Sequence, residues 1–440
     1  MNDITAFFAF LKYCLGYKEN MSRVIAGMNW HELYSFASKQ ALLGLCFEGI
    51  ERLGEEYPEE LKRNPIGREL LMTWMGKAQQ IRRQNMKVNA VAGKLFSMLR
   101  EDGMRCCVLK GQGNALMYPN PYSRTPGDID VWINASRERI MEYAQKKFEL
   151  EDDIRLQHLE TSLDGVPVEL HFFPCSMNNP IYHARLQKWF RRNADLQCSH
   201  IVGLPDEAGD IAIPTTAFNV VYQLTHLYHH FFDEGIGMRQ IIDYFLVVNN
   251  FSKNVFLNND LSNPSVSLSK GSSTAFPKPL SPQGTGDVTA LRCSEPLRSK
   301  DGGASKPSPN CAGWDRLGGN GYTTSTALDV VQRELKYLGL WKFAGAVMYV
   351  LHEALGLPEE KMIAPMDEKR GKLLLEEILN GGNFGKHFTK YGHFTQQGMA
   401  KKYFLKIWRN MHFVRYYPVE ALSEPIFRTW HFFWRLKHRR

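Results

Sequence analysis

No apolar run in this chain approaches the roughly 20 residues that a membrane-spanning helix needs. The first residues carry an acid, Asp3, and no basic stretch ahead of their apolar run, which Lys12 interrupts. They read as an amphipathic helix rather than a secretion signal. The eight cysteines (Cys14, Cys46, Cys106, Cys107, Cys175, Cys198, Cys293 and Cys311) contain no CxxC pair and no zinc spacing. Several sit among apolar residues, as in the run at 105–109, where a reduced buried thiol is expected, and the pattern favours a cytoplasmic protein. No period of 20–50 residues repeats, so a solenoid is excluded. The net charge of +8 is small for 440 residues. It suits a polyanion such as a nucleoside triphosphate and makes nucleic acid unlikely as the main partner.

What is present is a globular composition, 44% hydrophobic and 23% charged. Helical spacing dominates the first hundred residues, over 30–53 (with Gly54 after its end) and 69–103. The period then shortens. Residues 104–111 and 128–133 read as strands, 136–148 as a helix capped by Ser136, and 154–163 and 166–173 as strands joined by an Asp164-Gly165 turn. Helical spacing resumes over 216–250. From about 251 to 322 the chain fills with Ser, Pro, Gly, Asn and Thr, too polar to offset its ordering entropy, and then turns helical again. The expected organisation is an N-terminal helical region (1–103), an α/β core (104–175), a helical region (176–250), a low-complexity insertion (251–322) and a C-terminal helical region (323–440). The fold class is α+β, a small mixed sheet wrapped by helices.

The strand at 128–133 begins Asp128-Ile129-Asp130. Side chains alternate along a strand, so both acids share one face, about 6–7 Å apart. A solvent-facing strand end explains this pattern, and so does a shared divalent cation held by hard carboxylate oxygens. Glu169, an acid within the apolar strand 166–173, is the third candidate ligand, and His171 shares its face. Upstream, Lys110-Gly111 stands at a strand-to-helix turn, where a glycine lets backbone N–H groups approach phosphate. His226 and His230 lie one helical turn apart. Without an HExxH glutamate, that spacing reads as packing or hydrogen bonding rather than zinc binding. The aromatic and basic run at 401–440 reads as core, with a lipid or nucleic-acid surface as the alternative.

The series Lys110-Gly111, Tyr118-Pro119, Arg124, Gly127-Asp128-Ile129-Asp130 and Glu169-Leu170-His171 resembles the bacterial uncharacterised nucleotidyltransferase family, a branch of the DNA polymerase β-like superfamily. Looser similarity continues through His226, His230, Gly237, Arg239 and Asp243. The resemblance implies a metal-dependent transferase moving an NMP from an NTP to an acceptor hydroxyl by a two-metal mechanism. Asp128, Asp130 and Glu169 would be catalytic and would hold Mg²⁺ or Mn²⁺, with Glu169 alternatively the general base. Lys110, Gly111, Gln112 and Arg124 would bind the nucleotide. The alternatives are a solvated strand end for Lys110 and, for Arg124, an ion pair with Asp128 or Asp130. The superfamily's usual Gly-Ser pair is replaced by Lys110-Gly111-Gln112-Gly113, so Lys110 or Gln112 would take the serine's place. The acceptor (small molecule, glycan or protein) and the choice of NTP have no motif. Two other functions fit the same fold: an antitoxin-like module that binds or modifies a partner protein, and a peripheral-membrane protein of envelope polysaccharide assembly.

Overall fold

The computed structural model describes residues 3–150, 155–251, 326–387 and 399–438. The expected insertion at 251–322 lies, apart from Phe251, outside the described residues. The described residues all belong to one compact unit.

Six helices lead the chain: α1 (Asp3–Cys14), α2 (Ser22–Ala26), α3 (Trp30–Lys39), α4 (Leu43–Glu56), α5 (Pro58–Arg63) and α6 (Arg68–Glu101). The continuous helical spacing over 30–53 is broken at 40–42, and Gly54 falls inside α4 rather than after it. Tertiary contacts account for the break. The Gln40 side chain donates to the Ile378 carbonyl (3.0 Å) and accepts from the Met238 N–H (2.8 Å), and Ala41 takes a positive φ of 57°. Local periodicity carries no trace of partners some 200 and 340 residues away.

The next segment forms β1 (Cys106–Leu109), α7 (Gly111–Ala115), β2 (Ile129–Ile133), α8 (Arg137–Lys147), β3 (His158–Leu163) and β4 (Val166–His171). Ser136 caps α8, its hydroxyl accepting from the Arg139 N–H (3.3 Å). Asp164 and Gly165 both take positive φ in the β3–β4 hairpin, the backbone that a tight turn between strands demands. The four strands make one mixed sheet in the order β1-β2-β4-β3, with β2 and β4 parallel and the other pairs antiparallel.

Alternation splits this sheet between two cores. Cys106, Val108, Ile129, Val131, Ile133, Val168 and Leu170 pack against α6 residues such as Val88, Ala92, Leu95 and Leu99. Cys107, Leu109 and Trp132 face the larger helical core. Trp132 stacks on Phe218, which stacks in turn on Trp189 (centroids 6.2 and 4.5 Å). Asp130, Glu169 and His171 share that second face.

After the sheet come α9 (Pro180–Ser199), the hairpin β5 (Ile201–Gly203) and β6 (Asp210–Ala212), α10 (Thr216–Asp233) and α11 (Met238–Asn249). The region 176–250 thus contains a two-stranded ribbon as well as helices, its strands too short to announce themselves by alternation. The ribbon's turn presses on α6. A Cβ added at Gly93 would stand 2.1 Å from the Ala208 carbonyl oxygen, a backbone atom with no rotamer to give way. We expect Gly93→Ala to cost about 1–3 kcal/mol. A lower urea midpoint at unchanged slope would show it; an unchanged midpoint would mean that this contact is loose.

Helices α12 (Ala327–Tyr337), α13 (Trp341–Leu355), α14 (Glu368–Gly381), α15 (Met399–Met411) and α16 (Pro418–His438) close the unit. The C-terminal aromatics divide between core and surface. Phe413 and Tyr417 are buried, whereas Phe404, Trp430 and Phe433 are exposed. Two of the basic residues there turn inward, Lys406 and Arg428 both reaching Asp233 (2.8 and 2.9 Å). No helix among the described residues is long and apolar enough to cross a membrane.

Candidate active site

The parallel register of β2 and β4 sets Asp130 directly beside Glu169, and Asp128 precedes β2 on the same face. One oxygen from each of the three carboxylates lies within 4.8 Å of the others. The arrangement suits hard cations, which take clustered carboxylate oxygens. The chain's own charges register the crowding. Asp128 opens to solvent at the strand start, yet its carboxyl is pushed up to about 6, first by the Asp130 charge, then by lost hydration and by Glu169. Because Asp128 is exposed, repulsion is the cause that matters.

Three cations answer the trio. Lys110 Nζ stands 3.1 Å from Asp130 Oδ1. Burial opposes its charge, but Asp130, Asp128 and Glu169 together raise the amine. His171 Nε2 lies between Asp130 Oδ1 (3.1 Å) and Glu169 Oε2 (3.0 Å). Burial opposes that charge too, and the two hydrogen bonds outweigh it, lifting the imidazole to about 9. The cationic ring in turn holds the Glu169 carboxyl below its usual range against burial. His158, opposite His171 across β3–β4, is driven down to about 4 by burial and by its charged neighbour, so the two rings carry different protonation states. The third cation is Arg239, which lines the same cleft.

Lys110 holds φ 52° and ψ −127°, a conformation that costs a non-glycine residue energy and that the surrounding contacts must enforce. Its Nζ also meets His226 Nε2 (2.8 Å), which meets His230 Nε2 (3.0 Å), whose Nδ1 meets Glu234 (2.8 Å). The His226–His230 pair is therefore occupied in hydrogen bonding.

The cleft over the acids is lined by Asp128, Asp130, Lys110 and Gly111 together with His226, Arg239, Gln240 and Phe384. Glu169 stands beside Asp130, one strand over. Two of the expected nucleotide contacts point elsewhere. Gln112 is buried and donates to Asn89 on α6. Arg124 reaches the cleft wall but is held by Asp243 in a bidentate pair, both contacts 2.8 Å, with Tyr118 Oη donating to the same carboxylate (2.8 Å). Neither Asp128 nor Asp130 is its ion-pair partner. The α7 helix behind Gly111 is only five residues long.

The cleft also gathers residues without a motif of their own. Asn114 and Gln223 exchange reciprocal hydrogen bonds (3.1 and 2.7 Å). Arg239 and Gln240 open α11; the looser part of the resemblance names Gly237 and Arg239, while nothing in the sequence singles out Gln240. Phe384 arrives from a turn after α14 that nothing in the sequence ties to the acids. Gly237 is the point of contact: a Cβ there would lie 2.6 Å from Asn383 Cα.

A family model described as "Uncharacterised nucleotidyltransferase" matches residues 26–262, more than half of the chain. Among solved structures, the crystal structure of an antigenic nucleotidyltransferase-like protein from Paracoccidioides brasiliensis is similar at 16% identity with a TM-score of 0.26, over 37% of this chain and 75% of that one. No curated protein matches the sequence.

Proposed function

The chain belongs to the uncharacterised nucleotidyltransferase family, and from that premise we propose that it transfers an NMP from an NTP to an acceptor hydroxyl, with Asp128, Asp130 and Glu169 as the metal-holding acids. The observation that carries this reading is the convergence of three carboxylates from adjacent parallel strands, within 4.8 Å, at the edge of a cleft. A divalent cation, Mg²⁺ or Mn²⁺, held by these three would supply Lewis-acid charge to phosphate oxygens.

In the overall reaction the acceptor oxygen bonds to the α-phosphorus, the α–β anhydride bond breaks, and pyrophosphate leaves with its electron pair. The side chains of this protein organise that exchange. His171 donates to both Asp130 and Glu169, fixing the two carboxylates in register and keeping Glu169 anionic. That favours a ligand role for Glu169 over a general-base role, since a base gains from a higher proton affinity. Lys110, close to Asp130, adds fixed positive charge where phosphate charge would gather. Arg124 supports from behind by anchoring Asp243 rather than touching nucleotide. Phe384 gives the cleft an apolar wall.

The test is incubation of the full chain with each α-labelled NTP and Mg²⁺ or Mn²⁺. We expect label on the protein, on a co-purifying protein or on a small molecule, and none with Asp128→Ala/Asp130→Ala. Equal NTP binding and transfer by that double variant would sink the proposal. A stable protein partner with no label transferred from any NTP would favour a binding module on the same fold.

A further inference from the structure

We propose that the first turn of α11, with Arg239 and Gln240, is the subsite for the polyphosphate tail of the nucleotide, in the cleft that also holds Asp128 and Asp130. The assignment rests on the nucleotidyl-transfer reading and deepens it.

The cleft's donors divide into satisfied and unsatisfied ones. The four residues expected to meet phosphate are largely engaged. Lys110 is held by Asp130 and His226, Gln112 by Asn89 and Arg124 by Asp243. Gly111 opens a helix of five residues. Arg239 and Gln240, 8% and 7% exposed, are different. Arg239 Nη1 donates to the Thr125 carbonyl (3.0 Å), but its Nε has no hydrogen-bond partner among the described residues. Gln240 spends Oε1 on the Gly237 N–H (2.7 Å), and its Nε2 likewise has no partner there. Buried donors are ordinarily paired, and an unpaired one costs stability unless something else meets it. Here two of them belong to consecutive residues that line one cleft, both atoms being closed off from solvent in this conformation.

Both stand at the N-terminus of a helix of 12 residues, where the helix dipole adds positive potential. The same cleft carries Asp128 and Asp130. A guanidinium and an amide at a positive helix end, in one cleft with the acids, suit a linear anion with several phosphoryl groups. A single carboxylate would satisfy only part of that donor set. The planar guanidinium also matches phosphate oxygens better than an ammonium does.

The probe is inorganic triphosphate in EDTA, titrated into the full chain by calorimetry. We expect Arg239→Gln to weaken binding at least tenfold and Arg239→Lys to weaken it less. Gln240→Glu keeps the oxygen that caps Gly237 and replaces the free donor with a carboxylate, so it should also weaken binding at least tenfold while melting like the unmodified chain. Asp130→Asn should bind triphosphate as tightly or more so, since it removes a repelling charge. Triphosphate affinity unchanged in folded Arg239→Gln and Gln240→Glu overturns the inference, as does an unmodified chain that binds no triphosphate with or without Mn²⁺. Arg239-dependent triphosphate binding with no transfer from any NTP would keep the subsite and sink the transferase reading. Labelled transfer unaltered by Arg239→Gln would do the reverse.

Discussion

Asp130→Asn is expected to lower NMP transfer by at least about 10³-fold, in keeping with the several kcal/mol of charge stabilisation that metal ligation supplies. The same substitution should abolish the rise in Tm that Mn²⁺ gives the unmodified chain. A ligand at 100 times its Kd stabilises the native state by about 2.7 kcal/mol, enough for a visible shift in a chain of this size. Asn keeps the size of the side chain and an oxygen able to accept from His171 and Lys110, so the fold has little reason to fail. What it removes is the central charge of the trio, the one placed beside Glu169 by the parallel register. Glu160→Gln serves as the control. Glu160 lies opposite Glu169 on the outer strand β3 and contacts Arg155 (2.7 Å), so it shares the face without belonging to the trio. Its loss should change transfer by no more than a few-fold. Equal losses from both substitutions would show that general acidity of the face, rather than the three-carboxylate geometry, is what counts.

Asp243→Asn is expected to destabilise the fold by about 3–5 kcal/mol, the cost of leaving a buried charge without its partner. Arg124 and Asp243 are 4% and 5% exposed, and their bidentate contact joins the loop before β2 to α11. With the carboxylate gone, the Arg124 guanidinium stays buried near Arg239, whose proton affinity is lowered first by burial and then by the Arg124 charge. Tyr118→Phe removes one hydrogen bond to the same carboxylate and should cost only about 1 kcal/mol. Denaturant unfolding monitored by fluorescence and by circular dichroism measures both. A loss below about 1 kcal/mol for Asp243→Asn would mean that the pair is accessible to water. Because this pair ties α11 to the loop that leads into Asp128, Asp243→Asn should also reduce transfer, through position rather than contact.

Much of this architecture was legible in the residue order. Period-two alternation and glycine punctuation placed β1, β2, β3 and β4, and the Asp164-Gly165 turn joined the last two because short polar residues tolerate positive φ. The same alternation put Asp128 and Asp130 on one face, and an acid inside an apolar strand singled out Glu169. Those are local properties, set by backbone geometry within a few residues. Whether Glu169 would meet Asp130 was not local. It required β4 to insert beside β2 in parallel, leaving β3 at the edge, although β3 comes first in the chain.

The tertiary structure also decided which cations serve the site. Arg124 is four residues from Asp128 in sequence, yet its partner is Asp243, 119 residues on, because α11 packs against the loop before β2 and buries both charges together. Burial makes a bidentate carboxylate the only inexpensive company for a guanidinium, so Arg124 is spent on the scaffold. Arg239, which the sequence offered only through the looser part of the resemblance, lines the cleft, and its buried Nε has no hydrogen-bond partner among the described residues. The sequence by itself determined the three acids and the strands that carry them, because alternation is a property of the chain. Which positive groups face those acids and which are consumed elsewhere was decided by packing, because a buried charge takes the partner that the fold brings to it.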